Sequence, residues 1–77
     1  MAKFRVLIVD DSSLSREVLR RTLELDPHLS VVGEAKTGEE AVTLVRALRP
    51  SLITMDRFTR HRYHIDGIFL SFVRTNT

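Results

Sequence analysis

The stretch that decides the fold is residues 4–11, Phe4-Arg5-Val6-Leu7-Ile8-Val9-Asp10-Asp11. Its centre is an unbroken aliphatic run over residues 6–9, and the run stops at two aspartates. A strand with one wet face alternates apolar and polar residues, whereas a continuous apolar run is typical of a strand buried on both faces. The stretch therefore predicts a strand inside a parallel sheet.

The next segment predicts a helix and then a second strand. Ser12 and Ser13 are suitable N-cap residues. An apolar stripe of this helix is predicted to face the sheet, and a charged side is predicted to face water. The stripe consists of Leu14, Val18, Leu19, Leu23 and Leu25. The charged side consists of Arg16, Glu17, Arg20, Arg21 and Glu24. The sequence Asp26-Pro27-His28 breaks the helix, and residues 31–35, Val-Val-Gly-Glu-Ala, predict a short strand.

A second helix and a third strand follow. Thr37 and Glu40 have the spacing of a capping box. The helix after them has apolar residues at i, i+3, i+4 and i+7, namely Ala41, Leu44, Val45 and Leu48. Arg46 and Arg49 complement the dipole of its last turn, and Pro50 ends it. The third strand, residues 52–55, is followed by Asp56.

The order β-α-β-α-β predicts an α/β fold with a parallel sheet and right-handed crossovers. Because parallel strands one and three end at the same edge, Asp10, Asp11 and Asp56 are predicted to converge there. Clustered carboxylates repel one another unless they share a cation, and Mg²⁺ suits such oxygen ligands. One carboxylate is then able to attack phosphorus. The alternative is that the Asp-Asp pair serves only turn and cap chemistry.

Four segments together resemble a response-regulator receiver domain: Val6-Leu7-Ile8-Val9-Asp10-Asp11-Ser12, Val31-Val32-Gly33-Glu34-Ala35, Gly38-Glu39-Glu40-Ala41-Val42, and Leu48-Arg49-Pro50-Ser51-Leu52-Ile53-Thr54-Met55-Asp56. The resemblance covers about residues 4–56, the front half of such a domain, and it is strongest to the receiver half of chemotaxis protein-glutamate methylesterases. It implies a truncated flavodoxin-like fold with strand order 2-1-3, in which the later strands and helices are missing. DNA-binding response regulators share much of the pattern and remain an alternative.

The resemblance also implies roles for single residues. Asp56 matches the phosphoacceptor, and Asp10 and Asp11 match the acidic pair that holds Mg²⁺, with Asp11 the more direct ligand. The backbone carbonyl of Phe58 matches a further metal ligand. The phosphoryl donor in the family is the phosphohistidine of a sensor histidine kinase, and an output domain or partner protein detects the result. Independently of the resemblance, the apolar run 6–9 is too short for a signal peptide or a membrane span, so we expect a cytoplasmic protein that does not insert in a membrane.

Residues 57–77 depart from the family. Residues 1–56 carry eight Lys/Arg and nine Asp/Glu, whereas residues 57–77 carry four arginines against Asp66 alone. The family's Met-Pro is missing, Asp66-Gly67 comes about three positions late, and the hydroxyl residue and lysine that transmit the switch have no counterpart. We therefore expect two regions: 1–56, the N-terminal part of a receiver, and 57–77, an aberrant tail that resembles a frameshifted end. A lengthened loop is the alternative.

Three further expectations concern this tail and the function. Without a methylesterase domain we expect no esterase activity, and without the family's hydroxyl residue and lysine we expect no competent switch. The arginines with Phe58 and Tyr63 suggest nucleic-acid binding, but a solvated charge run is the commoner explanation. His28, His61 and His64 form a weak candidate metal set, since solvated loop histidines are far commoner.

The third strand has an exposed edge in this arrangement. The apolar run 68–73 is compatible with a strand or a helical turn and can supply a partner for that edge. We expect marginal stability, without a cooperative melt above about 60 °C as a dilute monomer.

Overall fold

The computed structural model describes residues 3–55, 62–65 and 68–74, and for the last two segments it describes the backbone alone. In chain order the elements are β1 (Phe4–Val9), α1 (Ser13–Glu24), β2 (Leu29–Ala35), α2 (Gly38–Leu48), β3 (Leu52–Met55), β4 (Arg62–Ile65) and β5 (Ile68–Arg74). The predicted β-α-β-α-β order is therefore confirmed, and β2 begins two residues earlier than predicted.

The strand that decided the fold lies inside the sheet. The strand order is β2-β1-β3-β5-β4, and β1 pairs in parallel with both β2 and β3. Val6, Leu7 and Ile8 of β1 are fully buried, as the continuous apolar run predicts. Val9 is paired with Ala35 on one side and with Met55 on the other, so the three strands end at one edge. The predicted order 2-1-3 is confirmed.

The far side of the sheet contains a hairpin that the sequence pattern only partly predicts. The apolar run 68–73 forms most of β5, which pairs in parallel with β3 and covers its edge. β4 pairs antiparallel with β5, and Ile65 is opposite Ile68. No element is predicted over residues 57–64, because their basic and aromatic residues show no period. A usable signal exists, since Asp-Gly between two strands is typical of a two-residue hairpin loop.

The hydrophobic core lies between the sheet and α2. Buried residues from β1, β2, β3 and α2 form one cluster, composed of Leu7, Val9, Ala35, Ala41, Val45 and Ile53. Gly33 of β2 permits α2 to pack closely against the sheet, because a Cβ built at Gly33 would lie 2.9 Å from Cδ1 of Leu48. The predicted apolar face of the second helix is confirmed, since Ala41 and Val45 are buried against the strands.

The ends of α2 combine a predicted cap with an unexpected one. The backbone N–H of Glu40 donates to Oγ1 of Thr37 at 3.1 Å, which confirms Thr37 as N-cap. The Glu40 carboxylate accepts instead from the N–H of Lys36, one residue before the cap, at 3.4 Å. Arg49 ends the helix with φ of 49°, a left-handed conformation that usually favours glycine.

The prediction for α1 is wrong in part. Ser12 is the N-cap, since its hydroxyl accepts from the N–H of Ser15 at 3.2 Å. However, Leu14 is 69% exposed and Leu25 is 84% exposed, whereas Arg16 from the predicted wet side is only 9% exposed. The reason is that α1 packs against β1 and β2 with Arg16 turned toward hydrogen-bond partners at the sheet edge. Within the part of the chain that the structure describes, no helix is long and apolar enough to cross a membrane.

Candidate functional site

Asp10 occupies the edge where β1 ends, and almost all of its polar groups are engaged. Its N–H donates to the carbonyl of Ala35 at 3.0 Å. Its carbonyl accepts from Nη1 of Arg16 at 2.6 Å, and its Oδ1 accepts from the N–H of Ser12 at 2.9 Å. With 4% exposure the residue is held firmly in one orientation.

The second carboxylate oxygen of Asp10 is different. Oδ2 is buried and has no hydrogen-bond partner among the described residues. Buried polar atoms are nearly always paired, and an unpaired one is costly, so this oxygen is a candidate ligand for a cation. Asp11, the next residue, is exposed. One bound oxygen, one orphaned oxygen and an adjacent free carboxylate form a donor set that suits a hard cation such as Mg²⁺.

The contacts of Asp10 bear on the alternative that the Asp-Asp pair serves only turn and cap chemistry. Oδ1 of Asp10 bonds to the backbone two residues ahead, which is the turn chemistry that Asp commonly provides. That bond uses a single oxygen of the carboxylate. The turn interpretation is therefore correct for Oδ1, and it leaves Oδ2 unexplained.

A charged cluster lies beside Asp10. Nε of Arg16 donates to Oε1 of Glu34 at 3.2 Å, and Arg20 forms an ion pair with the other oxygen of Glu34. Arg16 thus joins α1, the end of β1 and the end of β2. Arg16 and Glu34 were not predicted as site residues. Their opposite charges beside the same predicted edge were the available signal.

The remaining predicted site residues follow β3. Asp56 and Phe58 lie outside the described residues, so their assignments stay predictions. No group of three or more metal-ligating side chains forms within the described residues, a set that does not include Asp56. Thr54, two residues before Asp56, is buried, and its Oγ1 also has no partner among the described residues.

His28 has a local role. Its backbone N–H donates to Oδ1 of Asp26 at 2.8 Å, and its Nδ1 lies 3.1 Å from the same oxygen. These contacts, the backbone hydrogen bond first among them, hold the pKa of Asp26 below its ordinary value. The side chains of His61 and His64 lie outside the described set, so the histidine metal hypothesis stays a prediction for them.

Parallel strands in the order β2-β1-β3, with an acidic residue buried at their carboxyl edge, are typical of the class of flavodoxin-like α/β domains. Within that class, the chain belongs to the response regulator receiver domain family. The sequence pattern of that family matches residues 6–69. The resemblance inferred from the sequence is thereby confirmed.

Individual relatives indicate which kind of receiver domain the chain is similar to. The chain is 54% identical over 56 residues to protein-glutamate methylesterase/protein-glutamine glutaminase 2 of Carboxydothermus hydrogenoformans, covering 73% of this chain and 16% of that protein. It is 57% identical over 54 residues to enzyme 1 of the same name from Geobacter sulfurreducens, covering 70% and 15%. The chain therefore spans about a sixth of these relatives, and the predicted similarity to their receiver half is confirmed.

Two solved structures agree. The response regulator domain of Thermotoga maritima CheB matches with a TM-score of 0.68 and 39% identity, over 87% of this chain and 46% of that one. The receiver domain of the putative response regulator NarL from Mycobacterium tuberculosis matches with a TM-score of 0.71 and 37% identity, over 77% and 48%. The fold shared with both is the receiver fold, and this chain spans about half of each.

Proposed function

We propose that this chain is a Mg²⁺-dependent phosphoacceptor module of chemotaxis-type two-component signalling. Asp10 and Asp11 hold the metal, and Asp56 accepts the phosphoryl group. The observation that carries the proposal is the buried Oδ2 of Asp10, which has no hydrogen-bond partner among the described residues and lies beside the exposed Asp11. Membership in the receiver family supports the same assignment.

The register of the sheet supports the role of Asp56. Val9 and Met55 are paired in adjacent parallel strands, and Asp10 and Asp56 are the next residues in their respective segments. Consecutive Cα atoms are about 3.8 Å apart, so each aspartate follows closely on a paired residue. A carboxylate at this position is suited to act near the acidic pair. The backbone carbonyl of Phe58 is the proposed additional metal ligand.

The chemistry assigned to these residues is a phosphoryl transfer. An oxygen of Asp56 forms a bond to phosphorus while the P–N bond of a kinase phosphohistidine breaks, and the imidazole leaves. Mg²⁺ held by Asp10 and Asp11 would offset negative charge on the transferred phosphoryl group. Asp10 is held in one orientation because its other polar groups are fixed by Ala35, Ser12 and Arg16. The kinase is the proposed partner, in the cytoplasm.

The experiment is incubation of the full chain with Mg²⁺ and acetyl phosphate, followed by intact-mass measurement. The wild-type chain is expected to gain one phosphoryl group, and the gain is expected to vanish with EDTA and in Asp56→Asn. Asp26→Asn, which alters an exposed aspartate away from the edge, is the matched control and retains the gain. Equal labelling of Asp56→Asn and wild type would contradict the assignment.

We further propose that residues 57–77 form a region distinct from residues 1–56. The charge change after Asp56 supports a boundary there, with 57–77 as a divergent or frameshifted tail. Translation of the downstream DNA in all three frames tests the boundary, and a receiver that continues only in the encoded frame would contradict it.

A further inference from the structure

Arg16 is a charged residue in a place where charge is costly. It is 9% exposed, and it is the single buried side chain of α1. A guanidinium withdrawn from water must be compensated by hydrogen bonds and an opposite charge. Both are present, because Arg16 donates to the Asp10 carbonyl at 2.6 Å and to Glu34 at 3.2 Å.

The first of these contacts reaches the residue that the proposed metal site depends on. Three groups of Asp10 are fixed, and only Arg16 among their partners is a side chain, the others being the backbone groups of Ala35 and Ser12. Without Arg16 the Asp10 carbonyl would be left buried and unpaired on that side. The turn that presents Oδ2 would then lose one of its three anchors.

The second contact decides whether a cation can still bind nearby. An uncompensated arginine beside an acidic pair would repel Mg²⁺. Glu34 is one-quarter exposed and neutralises Arg16, and it also pairs with the half-exposed Arg20, whose charge is better screened by water. The Arg16–Glu34 pair therefore supplies orientation to Asp10 at little electrostatic cost to the metal.

We propose that Arg16, oriented by Glu34, is a positioning residue for the divalent cation, acting through the backbone carbonyl of Asp10 and not by contact with the metal. This inference rests on the proposed Mg²⁺ site. Partners that orient metal ligands typically change metal affinity by about 10–100-fold when removed. Because Arg16 acts through one hydrogen bond to a ligand residue, we expect an effect near the lower end.

The test measures Mg²⁺ affinity by titrating the ¹⁵N-labelled full chain and following the Asp11 amide, whose nitrogen is bonded to the Asp10 carbonyl carbon. Arg16→Gln is expected to weaken Mg²⁺ binding about tenfold. Arg16→Lys should recover part of the loss, since one ammonium cannot span both partners as the guanidinium does. Arg21→Gln, which removes an exposed ion pair with Glu17 on the same helix, should leave the affinity unchanged.

Glu34→Gln provides an independent variant if Arg16→Gln fails to fold. It should also weaken Mg²⁺ binding severalfold, and its effect should not add to that of Arg16→Gln in the double variant, because the two residues act as one unit. Additive effects would show that Glu34 acts only through its charge and would overturn its orienting role.

Two outcomes separate this inference from the proposed function. If wild type binds Mg²⁺ and Arg16→Gln binds it equally well while losing stability in EDTA, Arg16 is merely structural and the inference is overturned alone. If wild type shows no saturable response to Mg²⁺, the proposed function and the inference are overturned together.

Discussion

The two helices use burial in opposite ways. α2 buries Ala41 and Val45 in a core cluster with β1, β2 and β3. α1 buries Arg16 and leaves Leu14 and Leu25 largely exposed. Removal of apolar surface from water stabilises a fold, whereas burial of a paired charge is close to neutral. α2 therefore serves stability, and α1 serves the acidic edge.

The largest expected effect is on the free energy of unfolding, which should depend far more on the α2 side of the sheet than on the exposed residues of α1. Ile53→Ala removes a buried side chain on the α2 side and should cost about 2–5 kcal/mol of unfolding free energy, whereas Leu14→Ala on α1 should change it by less than about 0.5 kcal/mol. Urea denaturation monitored by circular dichroism measures both. Ile53→Val, with an expected cost of about 0.5–1.5 kcal/mol, replaces Ile53→Ala if that variant is unfolded. Comparable losses of unfolding free energy in Ile53→Ala and Leu14→Ala would contradict the proposed difference between the two helices.

A smaller effect is expected where α2 ends. Arg49 adopts a left-handed conformation that costs a residue with a Cβ about 1–2 kcal/mol. Arg49→Gly should relieve that cost and stabilise the chain by about 0.5–1 kcal/mol after the extra entropy of the unfolded glycine. Gly38→Ala, at the opposite end of the helix and with open space around a new Cβ, is the control for a change in helix propensity. A lower denaturation midpoint for Arg49→Gly would contradict the prediction.

The smallest effect is expected in the loop after α1. The N–H of His28 holds the pKa of Asp26 below its ordinary value, so this contact stabilises the fold above the normal carboxyl range and is lost as pH falls through the lowered pKa. An NMR titration of the Asp26 carboxyl carbon measures the pKa. In His28→Ala the pKa should rise but stay below the ordinary value, because the backbone hydrogen bond remains. An ordinary pKa in wild type would contradict this account.

The structure around α2 could be predicted from the sequence, whereas the packing of α1 could not. The α2 side is predictable because periodic apolar residues, a capping threonine and a terminating proline all indicate the same structure. The apolar stripe of α1 has the same periodicity, yet periodicity cannot tell that Arg16 finds a buried carbonyl and Glu34 at the sheet edge. Such long-range hydrogen bonds depend on where β2 ends relative to β1, and no local pattern encodes that register.

The acidic site was predictable to a similar extent. The position of the aspartates after two strands indicated a shared edge, and the resemblance to receiver domains assigned their roles. Neither could show that Asp10 uses one oxygen for its turn and keeps the other unpaired, because that division depends on the burial of the carboxylate. Of the hairpin, β5 was allowed for by the apolar run 68–73, but β4 was not predicted. The basic and aromatic residues of β4 lack the period-2 alternation that indicates a strand.

The central claim is that Oδ2 of Asp10 is a metal-facing atom. A direct test is the unfolding free energy of wild type and Asp10→Asn as a function of Mg²⁺ concentration, with Asp26→Asn as control. In EDTA, Asp10→Asn should be more stable than wild type by about 1 kcal/mol, since it removes a buried charge whose Oδ2 has no hydrogen-bond partner among the described residues.

Added Mg²⁺ should reverse that order. Wild type and Asp26→Asn should gain about 2.7 kcal/mol at a Mg²⁺ concentration a hundredfold above Kd, while Asp10→Asn should gain almost nothing. An Asp10→Asn variant that is less stable than wild type in EDTA and responds to Mg²⁺ as wild type does would contradict the account.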